Sequence, residues 1–209
     1  MRIRVLYLNL AIFTAAVAAT PEIKISAPPD GTIVAPGEVL MVSVEATPFA
    51  FRQVLLGGKL AWPRAVVVTP PYRFAIQIPP DTASGTDTLE AIGVIENLKV
   101  IESPSLTIDV ERPDSPRSLK TVFSTLQFYQ VGKDIRLLVE GIFEDGTTID
   151  LTRSRYTSYE SASPAVALIG ADGLVTAKGP GSTVIKIQHR DQSITVKVIV
   201  KDHEIPKQN

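Results

Sequence analysis

The chain has 209 residues, 44% of them hydrophobic, and no cysteine. That composition supports packed cores but excludes disulfides, thiol catalysis, cysteine-ligated metals and a lipoprotein anchor. With 21 Lys+Arg against 22 Asp+Glu, the formal net charge of -1 offers nothing that recruits nucleic acid.

Arg2 and Arg4 precede an apolar run over 5–19 that ends in the small residues Ala16-Val17-Ala18-Ala19. Residues 1–19 therefore read as a secretory signal peptide, cleaved after Ala18 or Ala19. The rival reading is a retained anchor, but the run is shorter than the roughly 20 apolar residues a spanning helix needs. No later segment resembles a membrane span, and residues 202–209 form a polar tail. The mature chain is expected to be secreted, periplasmic or at the cell surface, held together by sheet pairing and apolar burial alone. Its charge is 19 − 22 = −3; residues 20–116 hold 7 Lys+Arg against 12 Asp+Glu (−5), and residues 117–209 hold 12 against 10 (+2). Two ordinary solvated surfaces account for this, since salt screens such fields beyond roughly 8 Å.

Along residues 39–46 apolar side chains alternate, placing Leu40, Val42, Val44 and Ala46 on one face. Residues 72–78 alternate more clearly, with Tyr72, Phe74, Ile76 and Ile78 inward. Pro70-Pro71 and Pro79-Pro80 confine this strand, because proline cannot donate a ladder hydrogen bond. Residues 106–111 alternate again as a closing strand. The segment Arg112-Pro113-Asp114-Ser115-Pro116-Arg117-Ser118 has two prolines and no large apolar residue, which predicts an extended, solvated connector. The chain is divided there: a module over 20–111, a linker over 112–118 and a second module over 119–201.

In the second module Ile135, Leu137, Val139, Gly141 and Phe143 share a face, and Glu144-Asp145-Gly146-Thr147 supplies a turn. Asp172-Gly173 and Gly179-Pro180-Gly181 bracket the short strand Leu174-Val175-Thr176-Ala177, because glycine reaches positive φ without a Cβ clash. Ile194, Val196, Val198 and Val200 form the last strand. Nowhere do apolar residues recur at helical spacing for three turns. The mature chain is therefore expected to be all-β, two tandem β-sandwich domains, since paired sheets bury one face of each strand.

Residues 119–200 resemble the group 2 bacterial immunoglobulin-like domain found in intimin- and invasin-like surface proteins. The resemblance rests on residues 139–143 with the Glu144-Asp145-Gly146-Thr147 turn, Ile149-Asp150-Leu151-Thr152, Tyr156-Thr157-Ser158, Ser163-Pro164-Ala165-Val166-Ala167, Gly173-Leu174-Val175-Thr176-Ala177 and Gly181-Ser182-Thr183-Val184-Ile185. It implies a small immunoglobulin-like sandwich in which the glycine-flanked strand swings the chain into the penultimate long strand. Tyr156 stands where that family often has tryptophan, which implies a core position. Residues 21–111 look like another bacterial immunoglobulin-like module on Pro28-Pro29-Asp30-Gly31, Val54-Leu55-Leu56-Gly57-Gly58, Pro71-Tyr72-Arg73-Phe74 and Leu89-Glu90-Ala91. A fibronectin-like sandwich leaves much the same marks.

Catalytic chemistry has little to stand on. His189 and His203 are the only histidines. The first reads as an exposed strand-end residue beside the Arg190-Asp191-Gln192 turn, without the held imidazole a nucleophilic triad needs. Glu144 and Asp145 are adjacent carboxylates, but a turn places them in water and lacks the spaced oxygens of a calcium loop. No enzyme activity and no cofactor or metal is expected. Candidate interaction residues are Trp62, in a loop before Pro63 or capping the core; Tyr159, expected to be exposed; and Leu138 and Ile142, on the outward face of the strand over 135–143. The expected partner is a protein or glycan at the cell envelope. Alternatives are a structural subunit of an envelope assembly, pairing through free edge strands, or a carbohydrate-binding accessory module anchored by Trp62.

Overall fold

The computed structural model describes residues 20–47, 51–61, 66–95 and 98–201. The signal-peptide segment, the polar tail and Trp62 lie outside the described residues.

The first module contains β1 (Glu22–Ala27), β2 (Thr32–Val34), β3 (Val39–Thr47), β4 (Phe51–Gly57), β5 (Val66–Val67), β6 (Tyr72–Gln77), β7 (Gly85–Ile95), β8 (Val100–Glu102) and β9 (Leu106–Val110). They form two sheets, β1-β3-β6 and β2-β9-β7-β4-β5, with β8 alongside β7. Alternation sets the faces: Leu40, Val42 and Val44 on β3 and Tyr72, Phe74 and Ile76 on β6 are all buried, while Val39, Met41, Arg73 and Ala75 face outward. Phe51, Val54, Leu56, Leu89 and Ala91 close the core from the other sheet.

The second module contains β10 (Ser118–Thr121), β11 (Thr125–Phe128), β12 (Asp134–Arg136), β13 (Val139–Ile142), β14 (Thr148–Asp150), β15 (Thr157–Ser161), β16 (Ala167–Ile169), β17 (Leu174–Ala177), β18 (Gly181–His189) and β19 (Gln192–Val200). One layer has the order β11-β19-β18-β15; the opposing layer consists of β12-β17-β16 and β10-β13-β14. A separate core forms between them around Leu137, Val139, Phe143, Val175, Ile185 and Val198. Each module thus has two mostly antiparallel layers with connections that cross between them, and in each a short early strand runs parallel to the last one: β2 with β9 and β11 with β19. This is the immunoglobulin-like sandwich arrangement, twice in tandem, and the described residues contain no α-helix.

The glycine-bracketed strand is β17, entered through Gly173 at φ +76° and followed by Gly181 at φ +143° at the head of β18. No Cβ fits at Gly173, where it would sit 2.8 Å from the Leu137 carbonyl oxygen. The single strand expected over 135–143 is instead two. Leu137 donates its backbone N–H to Gly173, and Val139 donates its own to the Thr152 hydroxyl at 2.9 Å. The first bond continues the β12–β17 register and the second leaves the backbone ladder for a side chain, so β12 pairs with β17 while β13 pairs with β10 and β14. Inward alternation survives the break, with Leu137, Val139 and Phe143 fully buried.

The connector departs from expectation at two anchored residues, Arg112 and Pro116. Pro116 is buried, and a Cβ on Gly141 would lie 3.1 Å from its Cβ. The Arg112 guanidinium lies 4.2 Å from the centroid of the Phe143 ring and bonds Asp114, Asp145 and Thr147. The two prolines remove backbone donors, and the second module holds the segment at Arg112 and Pro116 while Pro113, Asp114, Ser115 and Arg117 stay exposed.

Candidate functional site at the module junction

The last strand of the first module turns its apolar residues, Leu106, Ile108 and Val110, into its own core. The intervening acids therefore project the other way. Asp109 and Glu111 are 9% and 3% exposed, and the second module covers them. Ser154 donates its hydroxyl to Glu111 Oε2 at 2.8 Å, and the backbone N–H of Arg155 donates to Oε1 at 2.8 Å. Arg155 Nη1 reaches Asp109 Oδ2 at 2.9 Å, and Thr86 donates to the other oxygen at 2.7 Å. Burial pushes the Glu111 carboxyl up from its ordinary value, against the opposing pull of the bonds from Ser154 and Arg155.

A second contact comes from the β18–β19 hairpin. His189 and Gln192 pair directly, so Arg190 and Asp191 form a two-residue loop. Such loops favour positive φ and usually carry Asn or Gly, yet here Arg190 takes φ +50°. In that position its guanidinium donates from Nη1 to the Pro113 carbonyl at 2.6 Å and from Nη2 to the Arg112 carbonyl at 2.7 Å. It also lies 4.4 Å from the centroid of the Tyr156 ring. A third contact is backbone to backbone: Ser84 donates its N–H to the Asp150 carbonyl at 2.8 Å. Gly85 follows at φ +140°, where an added Cβ would lie 3.1 Å from the Arg153 carbonyl oxygen. Beside the Arg190 contact lies a cleft of about 540 Å³, lined by Ile33, Glu38, Glu111, Arg112, Tyr156 and Arg190.

Tyr156 is therefore not a core residue: it is 39% exposed, with its ring under Arg190 at the junction. Tyr159 takes the inward place instead. It is half-buried against the second core and donates its hydroxyl to the Thr152 carbonyl at 2.7 Å, which corrects the exposure expected for it. Burial, with Asp150 and Asp172 nearby, pushes its phenol above the usual range. The two tyrosines exchange roles because the turn at Ser154 carries Tyr156 out over the connector, and β15 then returns Tyr159 to the core side.

His189 is likewise not the exposed strand-end residue expected, being 2% exposed. Thr157 donates its hydroxyl proton to the Leu151 carbonyl at 2.7 Å, so at 2.8 Å from His189 Nδ1 it accepts, which fixes the proton on Nδ1. Burial pushes the imidazole down to about 4. Leu138 is 37% exposed, and Ile142 is half-buried. Ile142 lies on the outward face of β13 and Leu138 in the break just before that strand, and Glu140, paired with Lys120 at 3.1 Å, stands between them in sequence, leaving two small apolar spots. Asp145 caps its own turn by accepting from Thr147 and meets Arg112, while Glu144 is exposed. Among the described residues no cluster of His, Cys, Asp or Glu has the arrangement of a metal site, and no helix is long and apolar enough to cross a membrane.

The junction residues Asp109, Glu111, Ser154, Arg155 and Arg190 were not singled out by the sequence. The opposite charge balance of the two halves agrees in sign with acids of the first module meeting arginines of the second, but points to no particular residue.

Residues 155–191, which run from the junction turn through β15 to the Arg190 loop, match the family described as intimin, immunoglobulin-like domain. The resemblance to a bacterial immunoglobulin-like domain holds over that segment. No curated protein matches the chain. Among solved structures, fibronectin(III)-like modules of CbhA from Clostridium thermocellum are 22% identical over 43% of this chain and 94% of theirs, with a TM-score of 0.37. Domains 4 and 5 of the S-layer protein SbsC are 12% identical over 89% of this chain and 100% of theirs, with a TM-score of 0.36. An endo-beta-1,4-mannanase from Thermotoga petrophila is 14% identical over 45% of this chain, which spans 20% of that protein, with a TM-score of 0.35. Likeness at this level carries no functional argument, and the sandwich assignment stands on strand order and burial.

Proposed function

We propose that the protein is a non-enzymatic, two-module spacer of the bacterial cell envelope, secreted, periplasmic or surface-exposed, that holds a binding surface at a fixed distance and angle. The observation that carries this reading is the reciprocal bonding at the junction. Acids of the first module enter the Ser154–Arg155 turn of the second, and Arg190 of the second grips the connector. A spacer needs its joints held, and three separate sets of contacts hold this one. The match of residues 155–191 to an intimin immunoglobulin-like domain supports an envelope location. The ligand is a protein or glycan of that compartment.

Two measurements test the reading. Paired spin labels at Lys24→Cys and Thr195→Cys, in a chain without native cysteine, are expected to give one narrow inter-module distance; a broad distribution defeats the spacer. Cell fractionation is expected to recover a processed chain outside the cytoplasm, and recovery of unprocessed cytoplasmic chain defeats the location.

A further inference from the structure

Strand β6 is the outer strand of the sheet β1-β3-β6, and among the described residues no strand pairs with its far side. Its pairing parity shows what that side presents. Ile78 donates its N–H to the Glu38 carbonyl and Gly37 donates to the Ile78 carbonyl, and the register continues through Leu40↔Ile76, Val42↔Phe74 and Val44↔Tyr72. Backbone groups alternate in direction along an antiparallel strand, so the N–H and C=O of Tyr72, Phe74 and Ile76 face β3 and those of Arg73, Ala75 and Gln77 face away.

This edge has few of the usual protections. It has no bulge, whereas the comparable edge strand β1 is irregular between Ile25 and Ala27. The Gln77 side chain folds back to donate to the Gly37 carbonyl at 2.9 Å, toward β3 and away from the edge. In the other module, edge strand β15 has its Thr157 N–H occupied by the Ser154 carbonyl. Pro70-Pro71 and Pro79-Pro80 delimit the exposed ladder at both ends. Beside it on the outward sheet face lie Met41 and Val39, 56% and 53% exposed, with Met41 directly opposite Ala75.

We propose that β6 pairs antiparallel with β6 of a second copy of this chain, about a two-fold axis at Ala75. That register places Ala75 opposite the partner copy's Ala75 and Arg73 opposite its Gln77. Like charges do not meet, every outward backbone group finds a complement, and Met41–Ala75 continues across the seam as one apolar row. Another strand register would leave Arg73 against Arg73 or end on a proline. The proposal does not depend on the spacer reading: a monomer would leave that reading intact.

The test uses the mature chain with Ala75→Cys. Two thiols at directly opposed positions fall within the Cα spacing of a disulfide, about 5.5 Å. Oxidation is expected to cross-link Ala75→Cys at least tenfold faster than the control Thr195→Cys, and sedimentation of the unmodified chain is expected to show concentration-dependent mass rising toward twice the monomer. Ala75→Pro removes an N–H that the β3 ladder does not use, so it is expected to abolish association with circular dichroism unchanged. Equal cross-linking of the two cysteine variants, or a monomer at all concentrations, overturns the proposal. So does capture of a strand from another protein by a chain that remains monomeric alone. If Ala75→Pro fails to fold, the cross-linking rates and sedimentation decide.

Discussion

Ser154 and Glu111, in different modules, share a buried hydrogen bond of 2.8 Å, and Arg155 closes the same carboxylate from its backbone. Glu111→Ala leaves two donors without their acceptor and is expected to cost about 1–3 kcal/mol in urea unfolding. Glu111→Gln retains shape and one acceptor and is expected to cost less. Because burial raises the folded carboxyl above its unfolded value, its favourable contribution is complete at low pH and is lost as pH rises through the folded value. The stability difference between wild type and Glu111→Gln should therefore grow in favour of wild type as pH falls from 7 toward 4.5.

His189 titrates with the opposite consequence. Its folded pKa of about 4 lies below the ordinary 6.5, so the unfolded chain binds more protons between these values. Stability is full above pH 6.5 and is expected to fall by about 3 kcal/mol on acidification to pH 4. His189→Gln should flatten that part of the stability profile measured by denaturant titration.

Arg190 adopts a backbone conformation that Asn tolerates better. Arg190→Asn is therefore expected to leave the second module as stable as before, within about 1 kcal/mol, while removing both bonds to the connector. The spin-label distance between modules should broaden without a matching drop in unfolding midpoint.

Gly85 approaches Arg153 too closely for a Cβ and sits at φ +140°. Gly85→Ala is expected to cost about 1–3 kcal/mol and to loosen the junction, whereas Gly146→Ala, at a positive φ but in open space, should cost less and leave the inter-module distance unchanged. Thermal unfolding combined with the label distance separates the two.

The connector is expected to resist proteinase K in the wild-type chain and to become an early cleavage site in Arg190→Asn. Early cutting over 112–118 in wild type would count against a connector held in place by Arg190.

The sandwich was legible because side-chain alternation is a local property. Tyr72, Phe74, Ile76 and Ile78 declare their face within seven positions, and the glycines around β17 declare its turns. The junction was not legible, because it joins residues distant in sequence through groups that look solvated when read singly. Asp109 and Glu111 have the appearance of the polar face of a strand until a second module covers it. Tyr156 lies in the turn that the Thr157 N–H closes on the Ser154 carbonyl, and Tyr159 lies on β15, a difference that no apolar pattern nearby announces. Arg112-Pro113 looks open because nothing nearby in sequence announces Arg190.

In both modules the early strand runs parallel to the final one, from Thr32↔Ile108 to Val34↔Val110 and from Thr125↔Lys197 to Phe128↔Val200. Tension drawn along the polypeptide would pull such partners past each other lengthwise, so their bonds share the load together and do not peel open in succession. A chain without a single covalent cross-link thereby resists stretching through the direction in which its end strands lie.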